Sequence, residues 1–392
     1  MHILMMIHRL ADASPYSFFV HEQARALVAL GHTVDVIATV PVPPMMRKMQ
    51  PFWADIVRKT PQAQEVDGVH VEYPRCLTLG DAGERLFGGR NYFRAILPVA
   101  RRIHRRNPVD LIHAHMIDRD GHAGMLTADA LGLPFVLTAH GTDVLRYFRP
   151  GERPMRRNVR TVQRADALMA VSTMLLERIL PYRPEGITEV VQNGLDLSGL
   201  PDLPREKGRI LSVGTLAPRK CMDVTIEAFA GLAGQFPEAT LRIVGIGAQE
   251  GALRAQIGRL GLSDRVFLLG GLPHKDVMEE MARADVFVLP SWGEGFGVVY
   301  IEAMAAGCVT IGSRDEGIAD VIRDGENGFL VTAGSVEETR NRLLSVLQAP
   351  EKWEKMRNQA KIRAREMTWE RNARETARIY EQVLAGYRPC SV

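Results

Sequence analysis

Short apolar runs rich in β-branched residues recur along this chain, separated by longer stretches whose apolar positions fall at helical spacing. In the first half the runs are His2–Ile7, Thr33–Ala38, Val69–Tyr73, Leu111–Ala114, Phe135–Thr138, Ala167–Val171 and Glu189–Gln192. Helical candidates between them include Ser17–Ala29 and Arg94–Arg106. A second series runs through Arg209–Val213, Thr240–Val244, Arg265–Leu268, Val286–Leu289 and Val309–Gly312. Strand and helix in alternation predict parallel α/β layers. Leu197–Gly208 (LSGLPDLPREKG) carries Pro and Gly between the two series and reads as a linker. Two successive α/β domains are therefore expected. Open parallel sheets bind ligands beyond the carboxyl ends of their strands, which predicts a cleft between the two. Pro41–Pro44 and the following Met45–Gln64 read as a long loop with its own short helix, a place for specificity elements.

At 392 residues, two domains fit better than one core. MHILMMIHRL lacks a charged n-region and a cleavage site, so it reads as a first strand and not as a signal peptide. No apolar run approaches the ~20 residues that span a bilayer. Cys76, Cys221, Cys308 and Cys390 show no metal-like spacing, which points to a reducing compartment and a cytoplasmic protein. The net charge of +3 hides an asymmetry. Met1–Leu180 holds 23 Lys and Arg against 17 Asp and Glu, whereas the remainder holds 26 against 29. The excess sits in Arg101, Arg102, Arg105 and Arg106, and in Arg146, Arg149, Arg153, Arg156, Arg157 and Arg160. Such a patch suits an anionic acceptor or the inner face of a membrane, or is a solvated helix face. Aromatic interleaving of the kind single-strand binders use is missing, so nucleic acid is set aside.

The chemistry concentrates in Ala284–Gly312, ADVFVLPSWGEGFGVVYIEAMAAGCVTIG. An apolar strand enters a loop holding Gly293, Gly295 and Gly297, then a helix; Glu294 and Glu302 stand eight residues apart. Glycines let backbone approach a ligand, and the following helix N-terminus favours an anion. Carboxylates there accept hydrogen bonds from sugar or ribose hydroxyls. A plain strand–loop–helix turn with two solvated glutamates is the bland alternative. Leu211–Asp223, LSVGTLAPRKCMD, ends a strand at Gly214 and follows it with Arg219 and Lys220, cations suited to a leaving phosphate. Leu137–Val144, LTAHGTDV, sets His140 at a strand end, with Asp143 placed to orient the loop. His113 and His115 share one strand face, but no third ligand stands at a sensible spacing for metal. Gly245-Ile246-Gly247 with Gly251 loosely mimics a dinucleotide fingerprint, which keeps an NAD-type oxidoreductase as a rival.

The Ala284–Gly312 string closely resembles the E-x7-E element of GT-B glycosyltransferases, in particular the retaining family 4 (group 1). The resemblance covers nearly the whole chain and implies a GT-B fold of two Rossmann-like domains with a cleft between them. It places an acceptor-side domain over residues 1–196 with a returning helix at 372–392, and a donor domain over 197–371. It implies a metal-independent, hexosyltransferase-type enzyme without cofactor, moving sugar from a nucleotide-diphospho-sugar, a UDP-sugar first, to a glycan or lipid-linked acceptor in polysaccharide biosynthesis. Lys220 would grip the diphosphate, with Gly214 beside it. Glu294 with the backbone of Gly295, Phe296 and Gly297 would face the sugar, Val298 would offer its N–H to phosphate, and Glu302 would hold the ribose. The loop at Gly271-Leu272 would hold the base, and His140 would lie beside the transferred sugar.

Departures from the family pattern are specific. Thr215 stands where an Arg is usual, with Arg219 a candidate replacement, and Cys221 stands where a Gly is usual. Leu10–Phe19 has no glycine, so Ser14 or Ser17 would donate to phosphate instead. Asp315-Glu316-Gly317 replaces a Gly-Gly pair, hinting at a teichuronic-acid-type branch and putting a carboxylate near the donor. A non-catalytic sugar-nucleotide binder, or a hydrolase or epimerase of the same fold, is the alternative function.

Overall fold

The computed structural model describes residues 1–8, 17–42, 51–78, 89–149, 151, 154–183 and 185–387, without the side chains of 51–53. Contacts divide the chain into two units, Met1–Gly194 with Trp369–Val392 and Leu195–Thr368.

Unit 1 is built on a sheet whose strand order is β3-β4-β2-β1-β6-β7-β8-β9, with β5 paired to β2. The strands are β1 (His2–His8), β2 (Thr33–Val42), β3 (Ala63–Val66), β4 (Val69–Glu72), β5 (Arg75–Leu77), β6 (Leu111–His115), β7 (Phe135–Ala139), β8 (Ala167–Ala170) and β9 (Ile187–Val190). Its helices are α1 (Phe18–Ala29), α2 (Pro51–Lys59), α3 (Arg90–Arg106), α4 (Arg119–Leu131), α5 (Thr142–Tyr147), α6 (Arg156–Arg164) and α7 (Thr173–Ile179). All strand pairs are parallel except β3 with β4. Every residue of β1 is buried. A parallel sheet covered on both faces demands such a continuous apolar run.

Unit 2 carries strands β10 (Arg209–Val213), β11 (Thr240–Val244), β12 (Val266–Gly270), β13 (Val286–Val288), β14 (Val309–Ser313) and β15 (Phe329–Val331). Their order is β12-β11-β10-β13-β14-β15, all parallel. This is the doubly wound arrangement, in which strand order reverses between β10 and β13 and opens a crevice at their carboxyl ends. Its helices are α8 (Met222–Ala233), α9 (Glu250–Arg259), α10 (His274–Arg283), α11 (Val298–Ala306), α12 (Val336–Gln348) and α13 (Glu354–Arg365). The chain then enters α14 (Trp369–Gly386), which belongs to unit 1. Ala373, Ala377, Ile379, Tyr380 and Val383 of α14 join the core formed by β1, β2 and α1.

The helix expected from Arg94 starts a turn earlier, at Arg90, and runs through Pro98. Pro98 removes one helical hydrogen bond, yet Tyr92, Ile96, Ala100 and Ile103 form a buried stripe that holds the helix together. Strands β3, β5 and β15 lie outside the expected set; AQEV and RCL carry too few apolar positions to stand out from their surroundings. The short helix expected within Met45–Gln64 is α2 (Pro51–Lys59), while Pro41 still belongs to β2 and Ala63 and Gln64 begin β3; residues 43–50 lie outside the described residues. No helix among the described residues is long and apolar enough to cross a membrane. Cys76, Cys221 and Cys308 are buried thiols, and Cys390 lies outside the described residues.

Candidate active site

Three loops of unit 2 meet at the crevice between β10 and β13. After β10 the chain passes Gly214 and makes a tight turn at Pro218–Lys220. Cys221 then opens α8 with a left-handed φ of 51°. That conformation explains why glycine suits this position. Lys220 is thereby turned inward, its side chain only 9% exposed, and its Nζ donates to Glu294 Oε2. Arg219 Nη1 lies 3.5 Å from the same oxygen. The main-chain N–H of Trp292 donates to Arg219 O at 2.8 Å, which ties the second loop to the first.

The third loop follows β14. Glu316 accepts from the main-chain N–H of Gly293 at 2.9 Å and of Glu294 at 2.6 Å. This buried carboxylate, expected from sequence only to stand near the donor, braces the loop with both of its oxygens. A Cβ on Gly317 would stand 2.1 Å from Gly295 O, so only glycine permits this approach. Gly297 caps α11 at φ 84°, and a Cβ there would strike the Tyr300 ring at 2.6 Å. Among the described residues, no acceptor meets the main-chain N–H groups of Phe296, Gly297 and Val298. They point out of a helix start with no side-chain cap, a layout that attracts an anion.

Glu302 lies one turn further along α11, and its Oε1 bonds His274 Nε2 at 2.8 Å. The hydrogen bond from Glu302 raises the His274 pKa. His274 begins α10, shortly after Gly271-Leu272, and sequence reading missed it. Its 28-residue separation from Glu302 gives no spacing signal. The first two glycines of the supposed dinucleotide pattern have a packing task instead. A Cβ on Gly245 would sit 1.9 Å from Gly214 O, and one on Gly247 would sit 2.3 Å from Leu216 O.

Unit 1 gathers histidines at the carboxyl ends of β6 and β7. Asp143 Oδ1 accepts from the N–H of His140 at 3.2 Å and of Gly141 at 2.8 Å, while Oδ2 accepts from Ile117 N–H at 3.0 Å. Asp143 thus joins the loops after β6 and β7, although burial pushes its pKa up to about 6. His140 Nε2 bonds His115 Nδ1 at 2.9 Å, with the Phe19 ring 4.3 Å from the His140 ring. His113 spends Nδ1 on Tyr380 Oη and Nε2 on Thr138 Oγ1, both at 2.7 Å. Burial drives His113 and His140 down to about 3 and His115 well below its ordinary value, so all three are neutral near pH 7. No group of three or more metal-ligating side chains is found among the described residues. His8 Nδ1 bonds Asp120 Oδ2 at 2.5 Å across the β1–β6 switch point. Of the Leu10–Phe19 loop, residues 10–16 with Ser14 lie outside the described residues. Ser17 is fully buried, its Oγ without a hydrogen-bond partner among the described residues.

Two Rossmann-like units, one with a cation–carboxylate crevice beside an open helix start, define a glycosyltransferase of the GT-B class. Residues 17–198 match the family described as Glycosyltransferase Family 4, and residues 201–363 match Glycosyl transferases group 1. A curated relative, D-inositol 3-phosphate glycosyltransferase of Rhodococcus jostii (strain RHA1), is 27% identical over 306 residues, covering 71% of this chain and 67% of that protein. Sucrose-phosphate synthase from Thermosynechococcus elongatus superposes with a TM-score of 0.78 at 20% identity, covering 99% of this chain and 100% of that one. Anabaena HepE in complex with UDP-glucose gives 0.72 at 19%, covering 97% and 99%. The chain belongs to the group 1, family 4 glycosyltransferases.

Proposed function

We propose that this glycosyltransferase is a retaining, metal-independent hexosyltransferase that takes a UDP-sugar as donor and a glycan or lipid-linked molecule as acceptor. One observation carries the reading. Arg219, Lys220 and Glu294 converge on a single point beside the unpaired N–H groups of Phe296, Gly297 and Val298. A nucleoside diphosphate leaving group needs cations and oriented N–H donors where charge grows. The UDP-glucose in the HepE structure supports the choice of donor.

In the reaction, the bond from sugar C1 to the β-phosphate oxygen breaks, and its electron pair stays on that oxygen. Lys220, Arg219 and the α11 dipole stabilise the charge that develops. The acceptor hydroxyl bonds C1 on the same face, and its proton passes to the departing phosphate. Glu294 then holds donor-sugar hydroxyls, Glu302 the ribose and the Gly271-Leu272 loop the base. His140, neutral at pH 7, serves as a hydrogen-bonding group beside the transferred sugar and not as a charged acid.

The chain works in the cytoplasm in this reading. Contact with an anionic membrane draws less support, because Arg102 pairs with Glu72 at 2.7 Å and Arg106 with Asp35 at 3.0 Å, leaving Arg101 and Arg105 of that cluster without a carboxylate partner among the described residues.

Calorimetry of the protein against UDP-, GDP- and ADP-sugars, with chelator present and NAD(H) as control, tests the donor site. Selective binding of a UDP-sugar that weakens at least tenfold in Glu302→Ala is expected. Binding of NAD(H) alone, or of no nucleotide sugar, would overturn the reading. Turnover of donor without acceptor would reassign the chain as a hydrolase, and isomerised donor as an epimerase.

A further inference from the structure

The side chain of Glu302 is 14% exposed and that of His274 is 69% exposed, and they meet with His274 Nε2 2.8 Å from Glu302 Oε1. An ionised carboxylate only accepts, so the imidazole is the donor and carries its proton on Nε2. The hydrogen bond to Glu302 raises the His274 pKa; burial opposes the rise, and the charges of Glu302 and Asp196 add to it. Glu302 Oε2 has no hydrogen-bond partner among the described residues, and it is not sealed from solvent. One oxygen of this carboxylate is held by the protein and the other is open.

The backbones that carry the pair are fixed. Helices α10 and α11 pack together, with Val277, Met278 and Met281 buried on the first and Ile301, Ala303 and Met304 buried on the second. Just past α11, Cys308 Sγ donates to Met281 O at 3.1 Å. The His274–Glu302 bond stands about two turns ahead of that contact, in the same pairing of the two helices. What remains free is the glutamate side chain, whose rotatable bonds the imidazole restrains. A carboxylate set in advance does not have to be ordered by its ligand. His274 also follows Gly271-Leu272 after one intervening proline, so it ties the loop read as the base holder to Glu302.

We propose that His274 is a positioning residue that holds Glu302 Oε1 so that Oε2 accepts from a ribose hydroxyl, and that it thereby makes the crevice select ribonucleotide over deoxyribonucleotide donors. A sugar lacking that hydroxyl leaves a desolvated carboxylate oxygen unmatched, which is how a hydrogen-bonding site rejects an analogue. The proposal rests on the reading of Glu302 as the ribose group. It adds to that reading the residue that sets the carboxylate and the selectivity that follows.

Calorimetry on the full chain tests it by comparing UDP with 2′-deoxy-UDP and 3′-deoxy-UDP in wild type, His274→Ala, His274→Gln and Glu302→Ala. The wild-type chain is expected to bind UDP about tenfold or more tighter than at least one deoxy analogue, the scale of one hydrogen bond to a charged group. His274→Ala is expected to lower that ratio about threefold or more, the scale of coupling between residues in contact. Its Tm should stay unchanged, because the imidazole is 69% exposed. His274→Gln, whose amide donates from near the Nε2 position, should recover part of the ratio. A merely structural role would weaken UDP and its analogues alike and leave the ratio where it was. A ratio unchanged in His274→Ala, with wild type discriminating and Glu302→Ala not, overturns the inference and leaves Glu302 on the ribose. Equal loss in His274→Ala and His274→Gln would mean that the N–H is not the acting group, and overturns it as well. Equal binding of UDP and both analogues by wild type, no binding of UDP, or discrimination that survives Glu302→Ala counts against the ribose reading itself, and the inference falls with it.

Discussion

Lys220 shows how much one side chain can depend on its neighbours. Its family motif was legible, but its partner was not, because Glu294 lies 74 residues away in sequence and meets it only at the β10–β13 crevice. Lys220→Ala is expected to lower kcat by about 100-fold or more, the scale of losing one charge stabiliser at a developing oxyanion. Circular dichroism should stay unchanged, and unaltered turnover would remove Lys220 from the diphosphate. Cys221 makes a different residue-scale point. The sequence marked it as a departure, and its φ of 51° supplies the reason. Cys221→Gly should be more stable than Cys221→Ala by about 1 kcal/mol, because both lose the buried sulfur while only alanine keeps the left-handed strain. Equal urea midpoints would contradict that assignment. Glu316 and His274 were illegible as partners, since a carboxylate bracing two amides and an imidazole holding Glu302 leave no pattern in sequence.

At the scale of elements, α14 is the informative case. Its sequence resembles a returning helix, and its inward face carries the hydrogen bonds as well as the apolar contacts. Gln23 Nε2 donates to Asn372 Oδ1 at 2.7 Å and to Thr376 Oγ1 at 3.1 Å, and Tyr380 Oη meets His113. Tyr380→Phe removes one hydroxyl and leaves a buried ring nitrogen without its partner. That should cost about 1–3 kcal/mol, the penalty for an orphaned buried polar group, measurable as a lower urea midpoint. A change within error would mean that the hydroxyl and His113 are not coupled. Most strands were read from their apolar runs to within a residue or two, although β2 continues four residues past the expected Ala38 to Val42; β3, β5 and β15 were missed, because short strands gain their identity from the neighbour they pair with.

For the whole molecule, the buried histidines set the response to acid. His113 and His140 have folded values near 3 and His115 lies well below its ordinary 6.5, so the unfolded chain binds protons that the native chain refuses. Stability is then complete above about pH 6.5 and falls as pH drops toward 3, by about 1.4 kcal/mol per pH unit for each histidine. Asp143 works in the opposite sense: its raised value lets the native state take a proton below about pH 6, before the unfolded one does. One carboxyl against three imidazoles leaves a net loss. Urea midpoints at pH 7, 6 and 5 should decline in order, and a flat series would contradict the burial of neutral histidines. The sequence by itself determined the two α/β series, the Gly-rich turn and helix of the β10–β13 crevice and the identity of its charged residues, because local periodicity and short motifs act within a few residues of chain. Only the tertiary structure decided which of those charges meet. The Lys220–Glu294 pair, the Glu316 brace and the His274–Glu302 bond each join loops or helices brought together by sheet order, and strand order is not written in any one segment.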